Sequence, residues 1–186
     1  MSEPLKGIKV IDLSRLLPGP YCSSILANYG ADIICIEDRR YELEPRIDML
    51  YWNKRHMVLN LKTDEGKEIF YVLAKKADVV IEQFRPDVVK SLRVDYESLR
   101  KMNSRLVYCS ITGYGQNGPY RNMVGHDVNY LGFSGVLSLI GDKDGIPRIP
   151  GIQIADVAAG GMNAAIGIFM ALIERERSGQ GQYIDI

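Results

Sequence analysis

The chain is poor in the side chains that most often announce a chemistry. It has two histidines, His56 and His126, and three cysteines, Cys22, Cys35 and Cys109, among 186 residues. The cysteine count is odd and lacks metal-ligand spacing, which argues against a thiolate metal site. Cys35 and Cys109 fall in apolar β-rich runs, so free buried thiols of a cytoplasmic protein are expected. Charge of one sign is lacking too. The 23 basic residues balance 23 acidic ones, which excludes a polyanion partner spread over the whole surface but leaves room for a local basic patch. The N-terminus, MSEPLKGIKVIDL, has no long apolar region before a cleavage site. Long apolar runs are missing as well: the longest helical one is broken by Gly160, Gly161, Asn163 and Gly167, and no membrane span is expected. There is no P-loop, dinucleotide fingerprint, metal cluster, G-x-S-x-G or helix-turn-helix signature, internal repeat or low-complexity tail.

What is present is an ordinary globular composition, 46% hydrophobic and 25% charged, at a length that suits one domain with a sizeable core. Ile8–Leu13 reads as a strand. Leu17-Pro18-Gly19-Pro20 punctuates it, and Tyr21–Tyr29 reads as a short helix stopped by Gly30. Ile33–Ile36 is a nearly continuous apolar strand, as expected when both sheet faces are covered. Strand, helix, strand at this spacing is a βαβ unit with parallel pairing. Met57–Leu61 reads as a strand. Thr63 then caps a helix ending near Lys76, with Asp64 and Glu65 in its first turn. Strands follow at Asp78–Glu82, Leu106–Ile111 and Tyr183–Ile186, with short helices at Asp87–Leu92 and Tyr96–Met102. A helix is expected over Asp127–Leu139, and a long one from about Asp156 to Arg175, ending at Ser178-Gly179. The alternation predicts an α/β fold with a mostly parallel, Rossmann-like sheet and flanking helices. In such sheets ligands sit outside the carboxyl ends of the strands. Here those ends are the loops 14–20, 37–40, 83–86 and 112–119.

Two residues stand out for chemistry. His126 and Asp156 lie on different elements within the stretch 124–161, and a His and an Asp flanking one carbon atom are what a two-base proton transfer needs. Each also has a simpler reading. Asp127 next to His126 suits a helix start, although its carboxylate can equally orient the imidazole. Asp156 before small residues suits an N-cap, and Gly160 and Gly161 let another surface approach closely. Arg39, Arg40, Lys54, Arg55, Lys62 and Arg85 follow or flank strands. Singly each is surface; as a set they suit a phosphate-bearing ligand.

Several pieces together carry a resemblance: LPGPYCSSILANYGADIICIED (17–38), NKRHMVLNLK (53–62), ADVVIEQFRP (77–86), RLVYCSITGYGQNGP (105–119), GHDVNYLGFSGVL (125–137), ADVAAGG (155–161) and GQGQYIDI (179–186). The chain resembles the family III CoA-transferase superfamily and, through Gly125-His126-Asp127 with Asn129-Tyr130, its α-methylacyl-CoA racemases. The transferases usually have no histidine there and use an aspartate at the place of Asp156 as nucleophile. The resemblance implies that His126 and Asp156 are the acid/base pair of a 1,1-proton transfer on a 2-methylacyl-CoA, an isomerase activity. It implies a CoA site lined by Leu59, Asn60, Leu61, Lys62, Gly125, His126, Asp127, Val128, Asn129 and Tyr130. From the strand-end basic set, Arg39 and Arg85 are counted with it as CoA-binding residues. No cofactor is implied beyond the coenzyme A of the substrate, and no metal. The racemases often carry an arginine at the position of Asp38 to pack on the adenine; here the arginines stand at Arg39 and Arg40. The partner implied is a second copy, in an interlocked homodimer. Residues 1–186 match the N-terminal part of the family's large domain. A smaller second domain, a C-terminal return segment and a glutamate that completes the site beside the histidine have no counterpart. The expectation is therefore the front part of a longer protein, and an incomplete fragment, inactive or complementing a second chain, is an alternative to the racemase. CoA transfer between carboxylic acids through an acyl-aspartyl intermediate at Asp156 is the competing activity.

Overall fold

Six short strands form one sheet in which every neighbouring pair is parallel. The computed structural model describes residues 2–38 and 47–186. In chain order the strands are β1 (Lys9–Asp12), β2 (Asp32–Glu37), β3 (Lys54–Val58), β4 (Val79–Glu82), β5 (Val107–Ser110) and β6 (Tyr183–Asp185). The helices are α1 (Pro18–Asn28), α2 (Asp64–Ala74), α3 (Val88–Leu92), α4 (Tyr96–Leu99), α5 (Asp127–Phe133) and α6 (Asn163–Ser178). Parallel neighbours need long crossovers, and the helices supply most of them.

The spatial order is β3-β2-β1-β4-β5-β6, so the chain winds outward from β1 in one direction and from β4 in the other. This doubly wound order leaves a crevice at the carboxyl ends of β1 and β4. Strands β4 and β5 are buried at every position, because helices cover both faces. One face packs Val10, Ile33, Val79 and Val107 against Cys22 and Leu26 of α1 and Ala164 and Ile168 of α6. The other packs Ile11, Val80, Leu106 and Tyr108 against Phe70 of α2 and Leu99 of α4. All three cysteines are buried and free.

Several expected boundaries move. Helix α1 begins at Pro18 rather than Tyr21, because proline fits a first turn whose N–H groups have no intrahelical acceptor. Strand β3 is Lys54–Val58, not Met57–Leu61. It is an edge strand, so it needs no apolar run. Its Arg55 pairs with Asp32, and the His56 ring meets the Glu37 carboxylate at 2.7 Å, both groups of β2. The helix expected over 127–139 breaks at Gly135, whose φ of 80° ends α5 and starts a 3₁₀ turn over Val136–Leu139. Thr63 caps α2 as expected, its hydroxyl accepting from the Gly66 N–H at 3.1 Å.

The last helix starts with a π-helical segment, Ala155–Met162, and continues as α6. Asp156 therefore lies inside the first turn and is not the N-cap. The combined helix Ala155–Ser178 has 24 residues and is apolar enough to cross a membrane by length and composition, contrary to expectation. Its glycines and single asparagine interrupt the hydrophobic run without making it polar. In the fold, Ala164, Ala165, Ile168, Ala171 and Leu172 of this helix pack into the core.

Gly161 is where this helix crosses α1. A methyl there would stand 2.8 Å from both the Pro18 carbonyl oxygen and the Tyr21 ring. The carbonyl is backbone and cannot swing aside. Gly161→Ala is expected to lower stability by about 1–3 kcal/mol. Gly132→Ala, in α5 with open space at the added methyl, is expected to be neutral or stabilising by up to about 1 kcal/mol. Urea denaturation of the two variants checks this; equal losses would contradict the packing account.

Candidate active site

The crevice at the switch between β1 and β4 opens into a cleft of about 570 Å³. Three of the four strand-end loops named from the sequence contribute: Arg15–Pro18 after β1, Gln83–Pro86 after β4 and Thr112–Tyr114 after β5. The far wall brings His126 and Asp156 to the same cleft. Gln83 ties the floor together across the switch. Its amide nitrogen donates to the Arg15 carbonyl at 2.6 Å, and its amide oxygen accepts from the Gly19 N–H at 3.1 Å.

His126 is exposed and occupies the N-cap of α5 in extended geometry. Its backbone N–H donates to Asn129 Oδ1 at 2.9 Å, one arm of a capping box. The preceding peptide is held by Tyr130, whose hydroxyl donates to the Gly125 carbonyl at 2.6 Å. The Tyr130 ring needs a glycine on each side: a methyl at Gly113 would sit 2.3 Å from it and one at Gly125 2.9 Å. Tyr114 stacks edge-on against Tyr130 and Phe133, with centroids 5.3 and 5.4 Å apart, and completes an aromatic wall. Burial, then the charge of Asp156, pushes the Tyr130 hydroxyl up to about 12, so it stays a proton donor at neutral pH.

Asp156 is half-buried in the π-helical segment. Burial raises its carboxyl above the usual range, the neighbouring Asp127 charge raises it further, and His126 pulls it back down. A carboxylate raised in this way is a better base near neutral pH. Asp127, itself buried, sends its Oδ2 to accept the backbone N–H of Asp156 at 2.9 Å. What it visibly holds is the second acid rather than the imidazole.

A family model described as CoA-transferase family III matches residues 5–186. The chain belongs to CoA-transferase family III. It is 42% identical over 183 residues to the α-methylacyl-CoA racemase of Homo sapiens, covering 97% of this chain and 47% of that protein. It is 41% identical over 202 residues to the succinate–glutarate CoA-transferase of Agrobacterium fabrum, covering 98% and 50%. Among solved structures, a CaiB/BaiF family protein of Brucella suis superposes with a TM-score of 0.90 at 36% identity, covering all of this chain and 53% of that one. The chain spans about half the length of the curated relatives it matches.

The other residues expected for the site of this family III chain divide. Gly125, Tyr130 and Arg85 line the cleft with the pair. Val128 and Asn129 face a shallow hollow with Gly132 and Phe133 on another side of α5. Leu61 is a core residue and Leu59 packs against the same core, while Asn60 shapes the turn into α2 by accepting the Lys62 N–H at 3.0 Å. Arg39 and Arg40 lie outside the described residues. Lys54 is no surface cation: its ammonium donates to the Pro20 carbonyl at 2.8 Å and Ser23 Oγ at 2.6 Å, and burial lowers its pKa. That network continues to the buried Asp12, which accepts from Ser14 and Ser23. Sequence reasoning put Gln83 in a strand-end loop without giving its side chain a role, and it missed Arg121 on the cleft wall, which is bonded to Asp87. It also missed Glu82, although an acid closing an apolar strand was a usable signal.

Glu82 is fully buried at the end of β4, with Oε2 accepting the Phe84 N–H at 2.8 Å. Burial raises its carboxyl from the usual 4.5 to about 7. The folded state thus binds this proton more tightly than the unfolded chain. The group's stabilising contribution is full below about 4.5 and is lost as pH rises through about 7. Glu82→Gln keeps an acceptor for Phe84 without the charge. It is expected to flatten the fall in stability between pH 4.5 and 8, by an amount on the order of 3 kcal/mol. Urea midpoints across that range test this; parallel curves for the two proteins would count against it.

Proposed function

We propose that the protein racemises 2-methylacyl-CoA thioesters. The supporting observation is the meeting of two unlike titratable groups, His126 and Asp156, in one cleft beside a ring-locked Gly125 peptide. One of the pair takes the proton from the α-carbon, and the C–H electrons move through the new C=C bond onto the thioester oxygen. The other returns a proton to the opposite face, so the net change is inversion at that carbon. The enolate oxygen needs N–H donors. Those of Asp156 and Val157 are engaged by Asp127 and by the Gln153 carbonyl, so this reading places its donors at the start of α5. Arg85 at the rim suits a phosphate of CoA, with a cytoplasmic homodimer as the working assembly.

A second reading is favoured by the comparable identity to the succinate–glutarate CoA-transferase. There Asp156 attacks the acyl-CoA, forming a mixed anhydride and releasing CoA thiolate. The thiolate attacks the Asp156 carbonyl, releasing the donor acid and leaving an aspartyl-CoA thioester. The acceptor carboxylate attacks that thioester, forming a new mixed anhydride and releasing the thiolate again. The thiolate then attacks the acceptor's acyl carbon to give the new acyl-CoA and free Asp156.

The two readings part on exchange. Incubation with a 2-methylacyl-CoA in D₂O is expected to place deuterium at the α-carbon without an added acid. His126→Ala is expected to slow this by about 10²–10⁴-fold. No exchange in the unaltered protein, or an unchanged rate in the variant, rejects racemisation. A hydroxylamine-sensitive acyl group on Asp156, with a rate that depends on the acceptor acid, establishes the transferase instead.

A further inference from the structure

Asp127 is adjacent in the chain to one member of the pair and hydrogen-bonded to the other. Its Oδ2 takes the Asp156 N–H at 2.9 Å across 29 residues of sequence, from a side chain only 7% exposed. The link ties the start of α5 to the first turn of the π-helical segment. A first-turn acid that only served the dipole of α5 would have no need of a partner on another element. The two ends that it joins are each braced on the far side. Gly125 and His126 are held by Tyr130 and Asn129. The π-helical segment is held by the contact of Gly160 and Gly161 with Pro18 and Tyr21 of α1.

We infer that Asp127 is a positioning residue that holds Asp156 in register with His126 across the cleft, and that its charge faces the carboxyl it holds. The inference rests on the two-base reading for its effect on rate, but the tether is a feature of this chain irrespective of the reaction. Among the described residues, the groups that interact electrostatically with Asp156 are Asp127 and Tyr130 of α5 and His126 at its N-cap, while Arg15, Arg85, Arg121 and Tyr114 share the cleft with it. Of these, Asp127 is the like charge that raises the Asp156 carboxyl, second only to burial.

Two variants separate tether from charge. Asp127→Asn keeps an oxygen acceptor for the Asp156 N–H and removes the charge. Asp127→Ala removes both. The alanine variant is expected to lose about 10²-fold in kcat for α-proton exchange, the scale of a small misplacement of a catalytic group. The asparagine variant is expected to recover most of that loss. Its acid limb, where activity falls as Asp156 takes up a proton, is expected to move to lower pH. A residue that merely stabilised the fold would change Tm and rate together and leave the limb in place. An unmoved limb in the asparagine variant, or wild-type kcat in the alanine variant, overturns the inference. If the unaltered protein shows no exchange, the two-base reading has failed. The inference is then judged on the Asp156 carboxyl carbon, titrated by ¹³C NMR in protein labelled at aspartate. A downward shift of its midpoint in Asp127→Asn supports the inference, and an unchanged midpoint refutes it.

Discussion

Everything in the site depends on the reversal of strand order between β1 and β4. Six parallel strands wind outward from this pair, so their following loops turn to opposite faces and leave a crevice between them. Gln83 closes the bottom of that crevice by bonding to both sides of the loop after β1. A cleft at this place costs the sheet nothing, because no ladder hydrogen bond is broken to make it. The remaining wall comes from α5 and the π-helical segment, elements far apart in sequence that the sheet brings to its carboxyl edge.

Polar groups are buried around this crevice in two separate networks. On the α1 face, Asp12, Ser14, Ser23 and Lys54 satisfy one another. On the other face Glu82 bonds Phe84, and Gln116 bonds Ser110 at 2.9 Å. Asp12, Glu82 and Ser110 stand at the carboxyl ends of β1, β4 and β5, and both networks brace a loop that lines the cleft. Buried polar groups must be paired or they destabilise. Their pairing here helps to fix the loops that line the cleft. The π-helical turn lies in the same region: an unusual helix geometry occurs where Asp156, one of the two proposed acid/base groups, enters the cleft.

The chain's architecture was legible in its sequence because each interior strand is an apolar run flanked by turn residues. Val79–Glu82 and Val107–Ser110 could hardly be anything else. The edge strand β3 was misplaced for the converse reason: an edge carries little burial, so hydrophobicity does not mark it. The split of 127–139 was missed because Gly135 is one permissive residue in an otherwise helical pattern. His126 and Asp156 could be picked out by rarity and by family resemblance, whereas Arg121 and Gln83 look like any surface residue until the loops are folded together.

By itself the sequence determined the class of fold and the family, which follow from local pattern and matching motifs, and it singled out His126 and Asp156 as candidates for proton transfer. Only the tertiary structure decided where those residues lie and what surrounds them. Asp127 reads locally as a helix-start acid or a partner for His126, yet its carboxylate crosses 29 residues to the Asp156 N–H. Lys54 reads as surface and is internal. Asp156 reads as a cap and is a half-buried acid raised by burial and by a like charge. Proton affinity and hydrogen bonding of this kind depend on neighbours brought close by the sheet, and linear order does not specify which neighbours those are.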